Sequence, residues 1–360
     1  MDYTTHSNVE KQVVASKDGD TFLNAIENGR TNYDYDADML AVSPYIHGEW
    51  QAIPTLRFSA GLRFDYFNVD YTDNLDPSVA EREFYAPFGR PITHNRPDSQ
   101  TIEFDSLSPK AGVVWNALDN LDIYASYKHA FRAPSVSRLF RSGSSINTDQ
   151  LKPVNADSFE LGFRGVLNGW LNYDITGYHM LVKDDIVSFD DLATRTRTTL
   201  NAAETLHQGI EVQLNGQINE EWGFTGAFSI SNQEYEKFSV RADRVFDGNK
   251  VRRAPETLGN LAIQYRPSFV KGLMIEGEWV HVGDYFVNEA NAAKYDGHNL
   301  FNLRASLDIG NGFELYGRVE NVTDERYSTL TTLGLSSPVD GVQYRPGLPR
   351  SAYIGFRSKF

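Results

Sequence analysis

Two stretches of this chain set cations among aromatic rings. Phe84, Tyr85, Arg90, His94, Asn95 and Arg96 fall in one long turn-rich segment, and Arg138, Phe140 and Arg141 in the next. A guanidinium pairs side-on with carboxylate or catecholate oxygens while rings cover an apolar body. The mixture therefore suits a bulky anionic chelate, and it would equally serve to pack two loops on each other. A second set of charges lies inside regular segments: Arg63, Arg164, Arg304, Arg318 and Arg357, with Glu160, Glu211, Glu276, Glu278 and Glu314. Such charges either hold a partner or neutralise one another across neighbouring strands.

Other chemistry is poorly supplied. The eight histidines show no metal-ligand spacing, and His129, His179 and His281 fall in or near strand ends, so no protein-held metal or cofactor is expected. There is no glycine-rich phosphate loop. Ser142-Gly143-Ser144 lacks the strand-to-helix setting of a nucleophile elbow, which argues against an enzyme. With no cysteine there is neither disulfide framework nor thiolate chemistry. A net charge of -14 makes nucleic acid an improbable partner.

The elements that must position these residues are strands. In Leu56 to Tyr66, Leu56, Phe58, Ala60, Leu62, Phe64 and Tyr66 alternate with Arg57, Ser59, Gly61, Arg63 and Asp65. A strand's side-chain period is two, so one face is apolar and the other polar. After Tyr66 the parity flips to Phe67, Val69 and Tyr71, and a bulge near Tyr66 is the expected cause. The same alternation recurs at Phe159, Leu161, Phe163; Trp222, Phe224, Gly226, Phe228, Ile230; Phe301, Leu303, Ala305, Leu307, Ile309; and Ala352, Ile354, Phe356. Reading on this pattern gives about 13 strands from Met39 onward, with a further one around Val9 to Ser16. Mean hydropathy is -0.44, and no apolar run approaches the roughly 20 residues of a spanning helix. Aromatics make up 13% of the chain, with 19 Tyr and 22 Phe, and suit interface girdles.

Connections alternate in length. Short ones at Gln51–Thr55, Leu118–Asn120, Leu167–Trp170, Asn219–Glu221, Ser268–Lys271 and Gly310–Gly312 alternate with longer ones at Thr72–Glu103, Arg132–Val154, Lys237–Arg253, Val287–Asp296 and Thr323–Pro349. Only Asp191–Thr196 is modest. Short turns at one end and long loops at the other define the two sides of an outer-membrane barrel. The fold class is all-β, an antiparallel transmembrane β-barrel forming one domain over residues 1–360.

Several stretches, in order, resemble the C-terminal barrel of TonB-dependent outer-membrane receptors. They are Phe131-Arg132-Ala133-Pro134-Ser135; Leu151 to Gly165, similar to the family's Leu-x-Pro-Glu and Glu-x-Gly segment; Asn201 with Gly209-Ile210-Glu211; Asn321 to Tyr327, similar to Asn-Leu-x-Asp-x-x-Tyr; and the terminal Phe360. Tyr353, Gly355 and Phe360 fit the family's terminal assembly signal, read by the barrel-assembly machinery. Val154 stands where the family has Glu, and Ser358 where it has an apolar residue.

The resemblance implies a barrel of about 22 strands around a plug, of which this chain supplies the last 13 or 14. The plug and the segment that meets the TonB–ExbB–ExbD complex precede the barrel in the family. The opening Met1 to His6 carries no secretory signal, so the chain reads as the C-terminal portion of something longer. The implied function is uptake of a scarce ligand across the outer membrane of a Gram-negative bacterium. A ferric siderophore, a small metal chelate with iron carried inside the substrate, is the default, with cobalamin or heme as alternatives and a non-transporting barrel remnant as a further one. Loop residues Phe84, Tyr85, Arg90, His94, Arg96, Arg138, Phe140 and Arg141 would then meet ligand. Lumenal Arg63, Glu160, Arg164, Glu211, Arg304 and Arg318 would meet the plug, and the apolar face would meet outer-membrane lipid.

Overall fold

The computed structural model describes residues 2–11, 31–76, 82–85, 91–141, 143, 145–191, 196–241, 244–333 and 341–358. In chain order the strands are β1 (Asp2–Lys11), β2 (Thr31–Val42), β3 (Tyr45–Ile53), β4 (Leu56–Asp73), β5 (Arg82–Tyr85), β6 (Pro91–His94), β7 (Gln100–Leu118), β8 (Leu121–Arg132), β9 (Val154–Leu167), β10 (Leu171–Asp191) and β11 (Thr196–Gln217). They continue as β12 (Trp222–Arg241), β13 (Arg244–Val245), β14 (Thr257–Tyr265), β15 (Leu273–Val282), β16 (Tyr285–Phe286), β17 (Lys294–Tyr295), β18 (His298–Gly310), β19 (Phe313–Glu320), β20 (Ser328–Leu333), β21 (Val342–Pro346) and β22 (Ser351–Ser358). One antiparallel sheet takes sixteen of them, ordered β1-β2-β4-β7-β8-β9-β10-β11-β12-β14-β15-β18-β19-β22, with β3 beside β4 and β13 beside β12. β5–β6, β16–β17 and β20–β21 are separate hairpins within the long loops. No helix among the described residues is long and apolar enough to cross a membrane.

Turn chemistry closes the short end. Between β9 and β10, Asn168 and Gly169 both take positive φ, 52° and 74°, at the centre of a turn closed by the Trp170 amide on the Leu167 carbonyl at 3.3 Å. Gly310, Asn311 and Gly312 do the same between β18 and β19. At the other edge β2 and β3 run one after the other along β4, interrupted at Ser43-Pro44, where the Pro44 carbonyl still accepts the Phe64 amide at 3.0 Å. The first strands also begin earlier than their alternation predicts. β1 covers Asp2–Lys11, so it begins before Val9, while positions 12–16 of the expected strand lie outside the described residues; β2 starts at Thr31 rather than Met39.

The parity flip at Tyr66 is real, but its cause is not a bulge. β4 pairs with β7 without a register break from Leu56 opposite Trp115 to Tyr71 opposite Gln100, and with β2 from Val42 opposite Tyr66 to Tyr35 opposite Asp73. Odd-numbered positions face inward along the whole strand. Phe58, Leu62 and Phe64 are exposed on the outside, whereas Asp65, Val69 and Tyr71 are buried inside. What changes at Tyr66 is the environment of each face. Beyond it the outer face turns polar: Tyr66 Oη donates to Glu103 at 2.7 Å, Asn68 Nδ2 to the same carboxylate at 3.2 Å and Thr101 Oγ1 to Asp70 at 3.1 Å.

An apolar hub replaces the outer face as the packed side. Tyr33, Tyr35 and Ala37 of β2, Val69 and Tyr71 of β4 and Phe104 of β7 are buried together with Leu139, Phe140, Leu151, Val154 and Ile186. Leu139 and Phe140 come from a one-turn helix, α1 (Val136–Phe140), in the β8–β9 loop. Phe140 stacks on Tyr71 with ring centroids 3.9 Å apart and planes 8° from parallel. At the short-turn end, Trp50, Trp115, Trp170 and Trp222 stand exposed near the ends of strands or in the turn between them, Trp222 as the first residue of β12. Trp222 stacks on Tyr265 at 4.3 Å and Trp50 on Phe58 at 5.7 Å, forming an aromatic belt.

Candidate functional site

The inward face of the sheet is a ladder of paired charges. Arg164 Nε reaches Asp122 at 3.4 Å, its guanidinium lying 5.4 Å from the Tyr124 ring, and Tyr124 Oη donates to Asp174 at 2.8 Å. Lys128 Nζ and Ser126 Oγ both reach Glu160, at 3.0 Å. Arg304 bridges Glu276 at 2.8 Å and Glu278 at 2.9 Å; Arg318 meets Glu320 at 3.2 Å, and Arg357 meets Glu314 at 3.2 Å. Arg63 pairs with the buried Asp65 at 2.6 Å. Of the candidate lumenal residues, Arg63, Glu160, Arg164, Arg304 and Arg318 thus have partners in the wall itself. Apart from the buried Asp65 carboxylate these pairs are partly exposed and each contributes about 0–1 kcal/mol; most of the cations meet one carboxylate, and Arg304 meets two.

Glu211 differs. Its side chain is exposed, and the carboxylate makes no ion pair or hydrogen bond among the described residues. With Tyr124, Ser158, Glu160, Thr176, Tyr178 and Met180 it lines a lumenal recess of about 320 Å³. Lys110 shares this freedom and was not singled out by the sequence, because only the register shows that it lies directly opposite Lys128.

Motif glycines make room for tyrosines on this wall. A Cβ at Gly162, within Phe159-Glu160-Leu161-Gly162, would overlap the Tyr124 ring, and a Cβ at Gly355 would overlap the ring of Tyr316. Each ring crosses the neighbouring strand where no side chain stands, freeing Tyr124 Oη for Asp174. Tyr353 receives the Arg318 guanidinium 4.5 Å from its ring centre. Phe360, the remaining residue of the terminal signal, lies outside the described residues.

The outer rim brings together some of the candidate ligand contacts and separates others. Arg96 pairs with Asp73 at 2.8 Å, their side chains 4% and 13% exposed, beside the hub. Burial raises the Asp73 carboxyl above its ordinary value, and the Arg96 guanidinium draws it partly back. The Tyr71 hydroxyl and Arg96 Nε are both buried without a hydrogen-bond partner. Phe140 is fully buried. For Arg96 and Phe140 the geometry is that of loop packing. Arg138 and Arg141 are exposed, with Arg138 Nη1 donating to the Ile186 carbonyl at 3.3 Å. Phe84, Tyr85 and His94 lie on the β5–β6 hairpin, where Phe84 is opposite Ile92 and Tyr85 opposite Pro91. Arg90 lies outside the described residues.

The remaining motif residues tie loops to strands. Asn201 accepts from the Lys152 amide at 2.7 Å and donates to the carbonyls of Lys152 at 2.9 Å and Asp184 at 2.6 Å, anchoring the β8–β9 loop. Asn321, buried and at φ 52°, accepts from the Glu325 amide at 2.8 Å and donates to the carbonyls of Glu325 and Leu348 at 2.9 and 3.2 Å. Asp324 accepts the Arg350 amide at 2.9 Å, so the two residues close the last long loop. Val154 is buried in the hub against Leu151, an environment that rewards Val and penalises the family's Glu. His129 pairs with Asp157 at 2.9 Å and His281 with Asn299 at 2.9 Å. Among the described residues no group of three metal-ligating side chains converges.

An outward apolar band, an inward paired polar face, short turns at one end and folded loops at the other define the wall of a transmembrane β-barrel. Residues 1–322 match the family model for the TonB dependent receptor-like beta-barrel. The chain belongs to that family. A probable TonB-dependent siderophore receptor, PiuA of Acinetobacter baumannii, is 20% identical over 341 residues, covering 91% of this chain and 42% of the relative. The ferric-pyoverdine M114 receptor PbuA of a Pseudomonas species is 25% identical over 247 residues, covering 67% and 29%. Among solved structures, the siderophore receptor PiuA superposes with a TM-score of 0.69 at 19% identity, covering 91% of this chain and 44% of that one. The closed form of the ferric-catecholate import receptor Fiu of E. coli gives 0.70 at 16%, covering 98% and 50%. The chain spans half or less of the length of these proteins.

Proposed function

We propose that this chain is the wall of an outer-membrane receptor that takes up a ferric siderophore by TonB-coupled transport in a Gram-negative bacterium. The observation that carries the reading is the inward wall. Its charges are neutralised in pairs except at isolated points such as Glu211, as suits a lumen occupied by a plug with its own complementary charges. Relatives named as siderophore receptors support the ligand class. A relative named as a vitamin B12 transporter, 22% identical over 227 residues, keeps cobalamin as a second reading. TonB–ExbB–ExbD would supply the force, the barrel-assembly machinery would insert the strands, and the iron would travel inside the chelate with no protein-held cofactor.

The test is growth of cells with and without the intact gene on single iron sources. Loss of growth on one ferric siderophore, restored by the gene, is expected. Unimpaired growth on every siderophore, with loss on cobalamin-limited medium, would move the assignment to the second reading.

A further inference from the structure

Asn-Gly occurs three times among the described residues, at 168–169, 215–216 and 311–312. The pair carries a reaction of its own. The backbone nitrogen of the glycine attacks the asparagine Cγ, the new N–Cγ bond replaces the Cγ–Nδ2 bond, and ammonia leaves. Water then opens the cyclic imide at either carbonyl, giving aspartate or isoaspartate, with no oxidant, reductant or cofactor. Glycine favours this because it has no Cβ to block the approach and its backbone turns freely. In a folded chain the rate depends on whether that N–H is free and whether the segment can rotate into the ring.

The three pairs differ on both counts. Asn168 and Asn311 stand exposed at the tips of short turns, each followed by a glycine at positive φ, 74° and 79°. Neither the Gly169 amide nor the Gly312 amide donates a hydrogen bond to a described residue. The Asn168 turn is closed by the Trp170–Leu167 bond at 3.3 Å, and a Cβ on Gly169 would meet nothing within 4 Å. Asn311 lies between Gly310 and Gly312, and all three take positive φ.

Asn215 lies inside β11. Gly216 is buried opposite Leu171 of β10 and Phe224 of β12, and a Cβ there would meet the Phe224 ring at 2.5 Å. A strand with neighbours on both sides has its amides held in the ladder, so imide closure at this pair requires local opening. Asp247-Gly248 shows the same protection in a loop. There the Gly248 amide donates to the Tyr235 carbonyl at 2.7 Å, and the Asp247 carboxylate accepts the Phe238 amide at 2.7 Å.

We propose that Asn168 and Asn311 are sites of spontaneous deamidation on the short-turn side of the barrel, and that the fold protects Asn215. Each event adds one negative charge. At 311 the new carboxylate joins Asp308 and Glu314, which already face each other across β18 and β19. The aspartate product keeps the turn, since Asp184 and Asp324 hold a φ of 56° elsewhere in this chain. Isoaspartate lengthens the backbone by one carbon and breaks the match between turn and strands.

The receptor in native outer membranes is held at 37 °C and pH 8.5 in oxygen-18 water, which marks every imide opened during the incubation. It is then digested in ordinary water and mapped. Labelled aspartate and isoaspartate are expected at 168 and 311, several-fold ahead of 215, with the difference gone when the receptor is first unfolded in denaturant. Asn168 or Asn311 kept as the amide while the unfolded chain converts, or all three converting alike in the folded receptor, would overturn the proposal.

Discussion

The lower and upper halves of β4 share one ladder and one parity, yet their apolar faces are opposite. Below Tyr66 the rings of Phe58 and Phe64 and the Leu62 side chain point outward and stand exposed, Phe58 stacked on Trp50. Above it Val69 and Tyr71 point inward, into a hub built with β2, β7 and the β8–β9 loop. Apolar surface is removed from water in both halves, by hydrocarbon in one and by folded protein in the other. The strand does not bend to achieve this; its sequence exchanges which positions are apolar. The exchange therefore marks the height at which lipid ends and the extracellular part of the wall begins.

Removing the hub's central ring should have the largest effect. Phe140→Ala abolishes the stack on Tyr71, and truncating a buried Phe costs about 3–5 kcal/mol. Hydrogen exchange should show amides of the 133–153 loop and the upper ends of β2 and β4 losing protection, while β4 below Tyr66 is unchanged. Loss of protection in both halves alike would show that they do not differ in what holds them.

A charge placed on the outer face sharpens the contrast. Leu62→Arg puts a guanidinium into hydrocarbon and should cost about 2–4 kcal/mol. Asp70→Arg, eight residues further up the same face, should stay within about 0.5 kcal/mol. Denaturant unfolding in lipid vesicles measures both, and equal costs would remove the boundary from between them.

The smallest effect concerns the other loop cluster. His298 begins β18 at the loop end, its Nδ1 2.8 Å from Tyr295 Oη, which accepts the Ser328 amide at 3.1 Å. With His298 neutral and its ring proton on Nε2, the Tyr295 hydroxyl donates to Nδ1 while accepting the Ser328 amide. Burial lowers the His298 pKa from its ordinary 6.5, with His281 adding to the effect and Glu325 opposing it. As pH falls below about 6.5 the unfolded chain takes up this proton before the folded one, so the stability present above that pH is lost on acidification. Exchange of the Ser328 amide should quicken between pH 7.5 and 5, and H298Q should flatten the profile. A pH-independent wild-type rate would contradict the relay.

The sequence disclosed whatever depends on one strand at a time. Alternation, turn residues and loop lengths placed the wall, and the Asn321 to Tyr327 motif named residues that the structure shows closing the last loop. Features that depend on two strands were hidden. Lys110 and Lys128 are eighteen positions apart and become neighbours only through the β7–β8 register. The reversal at Tyr66 was visible as a pattern, but one strand cannot show whether a bulge or a change of surroundings causes it. Arg96 and Phe140 looked like ligand contacts because their types suit a chelate, and their burial follows from α1 folding back onto β2 and β4.

The central claim is that the outer face of β4 leaves lipid at Tyr66 without a break in register. The chain has no cysteine, so single cysteines at positions 58, 62, 64, 68, 70 and 72 can be probed one at a time with a water-soluble maleimide in intact outer membranes. Positions 58, 62 and 64 should resist labelling, and 68, 70 and 72 should label readily. Protection of 68, 70 and 72 as well, or ready labelling of all six, would contradict the account.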